Sequence, residues 1–315
     1  MATRPLPARS PRPSPAPPSA RLLNPPEAVL GTRNAVLSGT SRRYFVPDYE
    51  GCLSLKSVLR GSAIWEAGGR RFVVHEGSHL LLNDGQRYTM TIDSAVPVTT
   101  FCLFFERGFV ETAFRAEASP LDRLLGAGPV HPASGFGFQE RIEPPDTPVA
   151  SALARFARRV AHAGPEARSS DFDDVFFTIA RLLVEQHHSA RSCRERLPAA
   201  RASTRRELFR RVLRGRDFLL SSLAGEASLQ AAARAACLSP YHFHRSFLRA
   251  FGLTPHRFLT RYRLERARRL LATTDRSVTE ICLECGFESP GSFSALFSRH
   301  FGQSPLAFRR RSLHD

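Results

Sequence analysis

Ser239–Phe258, SPYHFHRSFLRAFGLTPHRF, and Ser289–Phe308, SPGSFSALFSRHFGQSPLAF, are one device written twice, fifty residues apart and without a gap. Phe243, Phe247, Phe251, Gly252, Pro255 and Phe258 match Phe293, Phe297, Phe301, Gly302, Pro305 and Phe308. Each copy carries its own helix instructions. Ser239 and Ser289 are N-caps, because a serine oxygen accepts from the free N–H groups of a first turn. Pro240 and Pro290 follow at the first helical position, where a missing N–H loses nothing. Phenylalanines four apart make one apolar stripe and are read as core. Gly252 and Gly302 sit where a helix ends on a left-handed residue. Thr254-Pro255 and Ser304-Pro305 then open the next helix in the same way. Two copies make no solenoid; they make one small unit used twice.

Around the repeat the pattern predicts helices at 205–222, 228–236, 239–251, 255–272, 278–285, 289–301 and 305–311. Ser277-Val-Thr-Glu280 has the form of a capping box. Helices 228–236 and 239–251 form one helix-turn-helix, 278–285 and 289–301 a second, and 255–272 joins them. Its core side is Phe258, Tyr262, Ala267, Leu270 and Leu271.

The chain has 315 residues and a formal charge of +16, enough length for two domains. From Arg201 onward there are 21 arginines against 9 acidic residues, which favours a polyanion partner for the last third. Lys56 is the only lysine. An arginine bias this general reflects the genome's base composition more than selection at each site. The six cysteines show no disulfide framework, so a reducing compartment is expected. Cys282 and Cys285 form a C-x-x-C in an apolar helical context and are read as small buried hydrophobes, not ligands. No metal and no cofactor is expected. There is no long apolar run to cross a membrane and no signal-peptide h-region; a cytoplasmic protein with no membrane partner is the expectation.

Residues 1–27 are rich in Pro, Arg, Ser and Ala and read as a disordered tail. Residues 28–195 make the first domain. Short β-forming segments follow one another there: 53–59, 63–66, 71–75, 79–82, 88–92 and 98–105. Gly68-Gly69, Glu76-Gly77 and Asp84-Gly85 are turn signals between them, and together these predict an antiparallel sandwich or a cupin-type jelly roll. Helical segments trail it over about 150–190. Within them Phe172–His187 is strongly apolar on one face, which could complete the domain or pair with a twin in a dimer. Residues 196–204 are read as a linker and 205–315 as the second domain. The fold class is therefore two-domain: an N-terminal all-β cupin-like (jelly-roll) domain with trailing helices, then an all-α domain with two helix-turn-helix units.

In a helix-turn-helix the second helix enters the major groove. Opposite Phe243/Phe247/Phe251 lie Tyr241, Arg245, Leu248 and Arg249, with His242 and His244 on the flanks. Arginine can fork to guanine, and Tyr and His can reach bases or phosphates. The second copy offers Gly291, Ala295, Ser298 and Arg299 there. Ser292, Ser294, Arg299 and His300, with backbone N–H groups, suit phosphates. The expectation is asymmetric: 239–251 reads sequence, and 289–301 positions.

LSPYHFHRSFLRAFGLTPHRFL, RLERARRLL, VTEICLECGF and SFSALFSRHFGQSPLAFR, in that order and spacing, resemble the DNA-binding domain of the AraC/XylS family of bacterial transcription regulators. The resemblance implies two helix-turn-helix units on one long helix, set in successive major grooves of double-stranded DNA. By motif position it implies base contacts from Tyr241, His244 and Arg245, then from Pro290, Gly291 and Ala295, where the family often carries polar or basic groups. His242 and Arg249 are secondary contacts. Residues 28–195 resemble the family's cupin-like regulatory domain in texture, which implies a small-molecule effector. Trp65, Arg87 and Tyr88 are candidates for lining its pocket. RNA polymerase and a second copy of the chain complete the expected partners. His75 and His79 lack the surroundings of a metal-binding cupin and are expected at the surface. The alternatives are an enzyme carrying the same DNA-binding module and a ligand-independent DNA-binding scaffold.

Overall fold

The computed structural model describes residues 21–24, 30–118, 137–163, 172–225 and 227–312. Two long strands organise the first domain. β2 (Ala35–Glu50) and β7 (Arg87–Phe104) pair antiparallel from Ala35↔Phe104 to Glu50↔Arg87. The C-terminal half of β7 also pairs β3 (Ser54–Arg60), which continues to β6 (His79–Leu82) and β8 (Ile142–Glu143). The other half of β7 pairs β4 (Ser62–Ala67), which pairs β5 (Arg70–His75). The sheet thus folds over on itself as an antiparallel, barrel-like domain.

Two expectations are corrected. The segments 88–92 and 98–105 are parts of one strand, because β2 supplies partners on both sides of the exposed stretch at Asp93–Val96. Irregularities at Ser41/Arg43 and Val46/Tyr49 take up the bend. Within the tail expected over 1–27, residues 21–24 form β1 on the edge of β2, with Leu22 opposite Leu37. An open strand edge recruits backbone whatever the composition of the segment. The rest of that tail lies outside the described residues.

The sheet has two apolar faces. Trp65, Phe72, Val74, Met90, Cys102 and Phe104 fill the interior. Leu55, Phe101, Leu103 and Phe105 face outward against α1 (Phe109–Ala118), α2 (Pro148–Ala163) and α3 (Asp173–Glu195). Phe156 and Phe176 of α2 and α3 meet Phe101 and Phe105 edge to face at 5.5 and 5.7 Å. The stripe on 172–187 (Phe176, Ile179, Leu183) is therefore consumed within its own domain. Phe177 is the large apolar side chain of α3 left outside, 60% exposed.

A linker shortened to 196–201 leads into α4 (Ala202–Ser221). Then come α5 (Leu229–Ala235), α6 (Pro240–Phe251), α7 (Pro255–Thr273), α8 (Val278–Glu284), α9 (Pro290–Phe301) and α10 (Pro305–Ser312). The local signals act as read. Ser239, Thr254 and Ser289 cap their helices, Ser277 and Glu280 close a capping box, and Gly252 and Gly302 end theirs at φ 72° and 74°. The α7 helix serves both units: Phe258, Leu259 and Tyr262 enter the core of the first, and Leu264, Ala267 and Leu271 that of the second.

Gly215 of α4 lets α6 come close. A Cβ there would lie 2.3 Å from the Phe243 ring and 3.0 Å from the Ala232 carbonyl. Gly215→Ala is expected to destabilise the chain by about 1–3 kcal/mol, since overpacking outweighs the gain in helix propensity. Urea unfolding checks this; a variant as stable as the parent would show that α6 can shift at little cost.

Candidate functional site

The outer face of α6 is open. Phe243 and Phe247 are fully buried, while Tyr241 is 70% and Leu248 40% exposed. His242, Arg245 and Arg249 are exposed and His244 is half-buried. Arg245 Nη1 donates to Tyr241 Oη at 2.9 Å, and the guanidinium stands 5.5 Å from the tyrosine ring centroid. This i, i+4 pair holds the guanidinium on the exposed face, which lowers the entropy lost when it docks. Tyr241, Arg245 and His244 thus lie together near the N-terminal end of α6, the end that faces a groove in a helix-turn-helix.

The face of α9 is shallower. Gly291, Ser292, Ala295 and Arg299 are exposed and Ser294 is half-buried. His300 is turned toward α7, 4.0 Å from Glu265, with its ring edge-on to Phe301. Glu288 adds one residue to the second turn. The N-caps Ser228 and Ser277 are forty-nine residues apart, but Ser239 and Ser289 are fifty apart. The two units are near copies in core and caps, and differ in the turn and on the outer face.

In the first domain, Trp65 and Tyr88 share the barrel interior. Arg87 does not join them, because neighbouring residues of a strand point to opposite faces. It is exposed, forked onto Asp48 at 2.7 and 2.9 Å and 3.4 Å from Glu50. Sequence reasoning left Lys56 unassigned. Lys56 is 1% exposed inside the barrel, and its Nζ donates to Tyr88 Oη at 3.0 Å. The ammonium also stands 3.9 Å from the Phe104 ring centroid and 4.4 Å from that of Tyr88. Burial lowers the amine to about 8, outweighing the opposing influences of Cys102, Cys52 and Tyr49. The signal in the sequence was its being the only lysine.

The two domains meet through buried charge. Arg216 and Asp217 of α4 are 6% and 4% exposed. Arg216 donates to the Ile142 carbonyl and lies 3.5 Å from Glu143, which also pairs with Arg141. Asp217 accepts from the Ile142 N–H at 3.3 Å and pairs with Arg70 of β5. Asp146 adds Arg261 at 2.6 Å and the Tyr262 hydroxyl at 3.2 Å. Burial works to raise the Glu143 carboxyl, but the guanidiniums of Arg141 and Arg216 outweigh it and hold Glu143 at about 2.

His75 and His79 belong to this junction, which corrects their expected place at the surface. His75 Nε2 lies 3.2 Å from the Ser221 carbonyl, and neither ring nitrogen of the fully buried His79 has a hydrogen-bond partner. Burial lowers each to about 4. Docking of α4 on β5 and β8 covers them, which local pattern cannot show. Cys282 and Cys285 are buried in the core of the second unit, and burial pushes Cys285 up to about 12. Among the described residues there is no cluster of three or more potential metal ligands, and no helix is long and apolar enough to cross a membrane.

Comparison with known proteins places both halves. Residues 44–173 match the family model of the AraC-like ligand binding domain, and residues 232–311 match that of a helix-turn-helix domain. The HTH-type transcriptional activator RhaS of Enterobacter sp. (strain 638) is 43% identical over 93 residues, 30% of this chain and 34% of that one. Its namesake from Salmonella arizonae has the same identity and coverage. The chain thus spans about a third of the length of the curated relatives it matches. Among solved structures, a transcriptional regulator of Chromobacterium violaceum with an AraC-type DNA-binding domain is 27% identical. It covers 36% of this chain and 96% of its own, with a TM-score of 0.31.

Proposed function

The chain belongs to the AraC family of transcription regulators, and from that premise we propose that it binds double-stranded DNA sequence-specifically under the control of a small-molecule effector held in the N-terminal barrel. The observation that carries the DNA reading is the pair of capped helices α6 and α9. Both bury one face on a common frame with α7 and leave the other face bare in a strongly basic domain. Tyr241, His244 and Arg245 read bases. His242, Arg249, Gly291, Ser292, Ser294, Ala295, Arg299 and His300 hold the backbone or make secondary contacts. The enzyme alternative is set aside, because the family is one of transcription regulators.

Coupling runs through the junction. An effector that favours one seating of β5 and β8 on α4 biases how the DNA-binding domain is presented, by no more than its differential affinity for the two arrangements. The site of action is the bacterial cytoplasm, with RNA polymerase as the further partner. A second copy of the chain would dock on a surface other than the consumed stripe of α3, and sedimentation of the full chain over a range of concentrations tests whether it self-associates at all.

Selection of the full chain on random duplex DNA tests the reading. Arg245→Ala is expected to lose about 1–3 kcal/mol of discrimination at the base it reads. Arg299→Ala is expected to weaken all sites alike and reduce the salt slope by about 1. Equal information from both half-contacts in the selected sequences would refute the asymmetry, and no enriched sequence at all would refute the function.

A further inference from the structure

The 45 basic residues of the chain are arginines at every position but one. That one, Lys56, is buried at the centre of the barrel wall, opposite Cys102 of β7. A composition that turns basic positions into arginine does not explain a lysine here, nor does packing, which an apolar side chain of the same length would satisfy. The groups facing Nζ are the Tyr88 and Tyr49 phenols, the Cys52 and Cys102 thiols and the Phe104 ring. Among the described residues no carboxylate lies within ion-pairing distance of it. A buried charge is ordinarily paired, and this one has a hydroxyl and two ring faces.

Trp65 adds a second unmatched donor. It is 0% exposed in the same interior, and its Nε1–H has no acceptor. Ser54 Oγ, two residues before Lys56 on the same face of β3, is also buried without a partner, so the described interior holds unpartnered polar groups and a positive centre with no carboxylate beside it. The remaining surroundings, Phe72, Met90 and Ile92 among them, are apolar.

We propose that Lys56 is the anchor for an organic acid: the ammonium takes the carboxylate of an effector whose remaining body is apolar, with the Trp65 N–H as a further donor to it. This deepens the effector reading above and rests on it. The carboxylate replaces the Tyr88 hydroxyl as the acceptor on Nζ. Tyr88 packs edge to face on the half-buried Tyr49, ring centroids 5.7 Å apart, so this exchange takes place toward the solvent side of the barrel. One cation and an apolar lining select a single negative end on an apolar body, and disfavour sugars, amines and dicarboxylates. At neutral pH the amine keeps its proton, since burial lowers it only to about 8.

The only tryptophan of the chain stands in this interior and reports on it. Trp65 emission and the melting temperature of the full chain are followed while octanoate and phenylacetate are titrated against octanol and phenylacetamide. The acids are expected to give a saturable change in emission and a rise in melting temperature, and the neutral analogues to bind about tenfold more weakly or worse. Lys56→Met, with its fold checked by circular dichroism, is expected to lose that preference. Neutral analogues that bind as tightly as the acids, or a Lys56→Met chain that keeps the preference, overturn the acid anchor and leave the barrel as an effector site. No saturable response to any of the four overturns the anchor and the effector reading together. DNA selection with the same protein is scored separately and is untouched by either result.

Discussion

Glu143→Ala is expected to lower the stability of the full chain by about 3–5 kcal/mol, the usual loss when one partner of a buried ion pair is removed. Glu143 is 5% exposed and stands between Arg141 and Arg216, themselves 9% and 6% exposed. Without it, the guanidiniums of Arg141 and Arg216 at the domain junction lose their common counter-charge. The sign with pH follows from its depressed carboxyl. Glu143 titrates at about 2 in the folded chain, against 4.5 for an ordinary glutamate. The unfolded chain therefore takes up the proton first as pH falls. The contribution of Glu143 is complete above about 4.5 and is lost as pH drops toward 2. Urea unfolding of parent and variant at several pH values isolates it: the gap between the two curves should be widest near neutrality and close in acid. A gap of under about 1 kcal/mol at neutral pH would mean that the junction is wet.

Lys56→Met is expected to act in the other direction and stabilise the chain, by about 2 kcal/mol at neutral pH. The amine falls from 10.5 to about 8 on folding because burial disfavours its charge. That difference corresponds to about 3 kcal/mol of destabilisation while the group is protonated in both states. Methionine has a similar length, and its thioether suits the rings of Phe104 and Tyr88. Against this, the Tyr88 hydroxyl loses its donor, at about 1 kcal/mol. Between pH 8 and 10.5 the unfolded chain binds the proton that the folded chain has released. Parent stability should therefore rise with pH across that window, and the variant should not share the rise. Thermal unfolding from neutral to alkaline pH reads both effects. A variant that melts lower than the parent would mean that the lysine is stabilising as it stands. A stabilised variant that no longer distinguishes acids would mark Lys56 as a residue kept for binding at a cost in stability.

Much of the helical domain could be read directly. Ser239, Pro240, the phenylalanine stripe and Gly252 act within one or two turns of one another, so adjacent residues contain the whole argument. The second copy repeats it, and the outer faces follow from the inner ones by helical period. The β domain was legible in class but not in detail. Ser54–Val58 is buried on both faces, so the alternation that assigns a strand's inner side is absent just where Lys56 sits. The long strand β7 was read as two fragments, because an exposed stretch within a bent strand looks like the turn between two shorter ones, and β2 (Ala35–Glu50), with its many exposed residues, was not read as a strand at all.

The sequence by itself determined the two helix-turn-helix units, their caps, the helix that joins them and the difference between their outer faces. These rest on contacts between residues a few positions apart, where residue type and spacing settle geometry. Only the tertiary structure decided that Arg216 meets Glu143, that Arg70 meets Asp217 across 147 residues, and that the sole lysine is buried beside Tyr88. The reason is desolvation. A charged side chain in a sequence reads as a surface residue, and whether it is buried depends on which distant elements close over it. The helix Ser239 introduces is therefore legible from its own letters, while the meaning of Lys56 appears only once the barrel has folded around it.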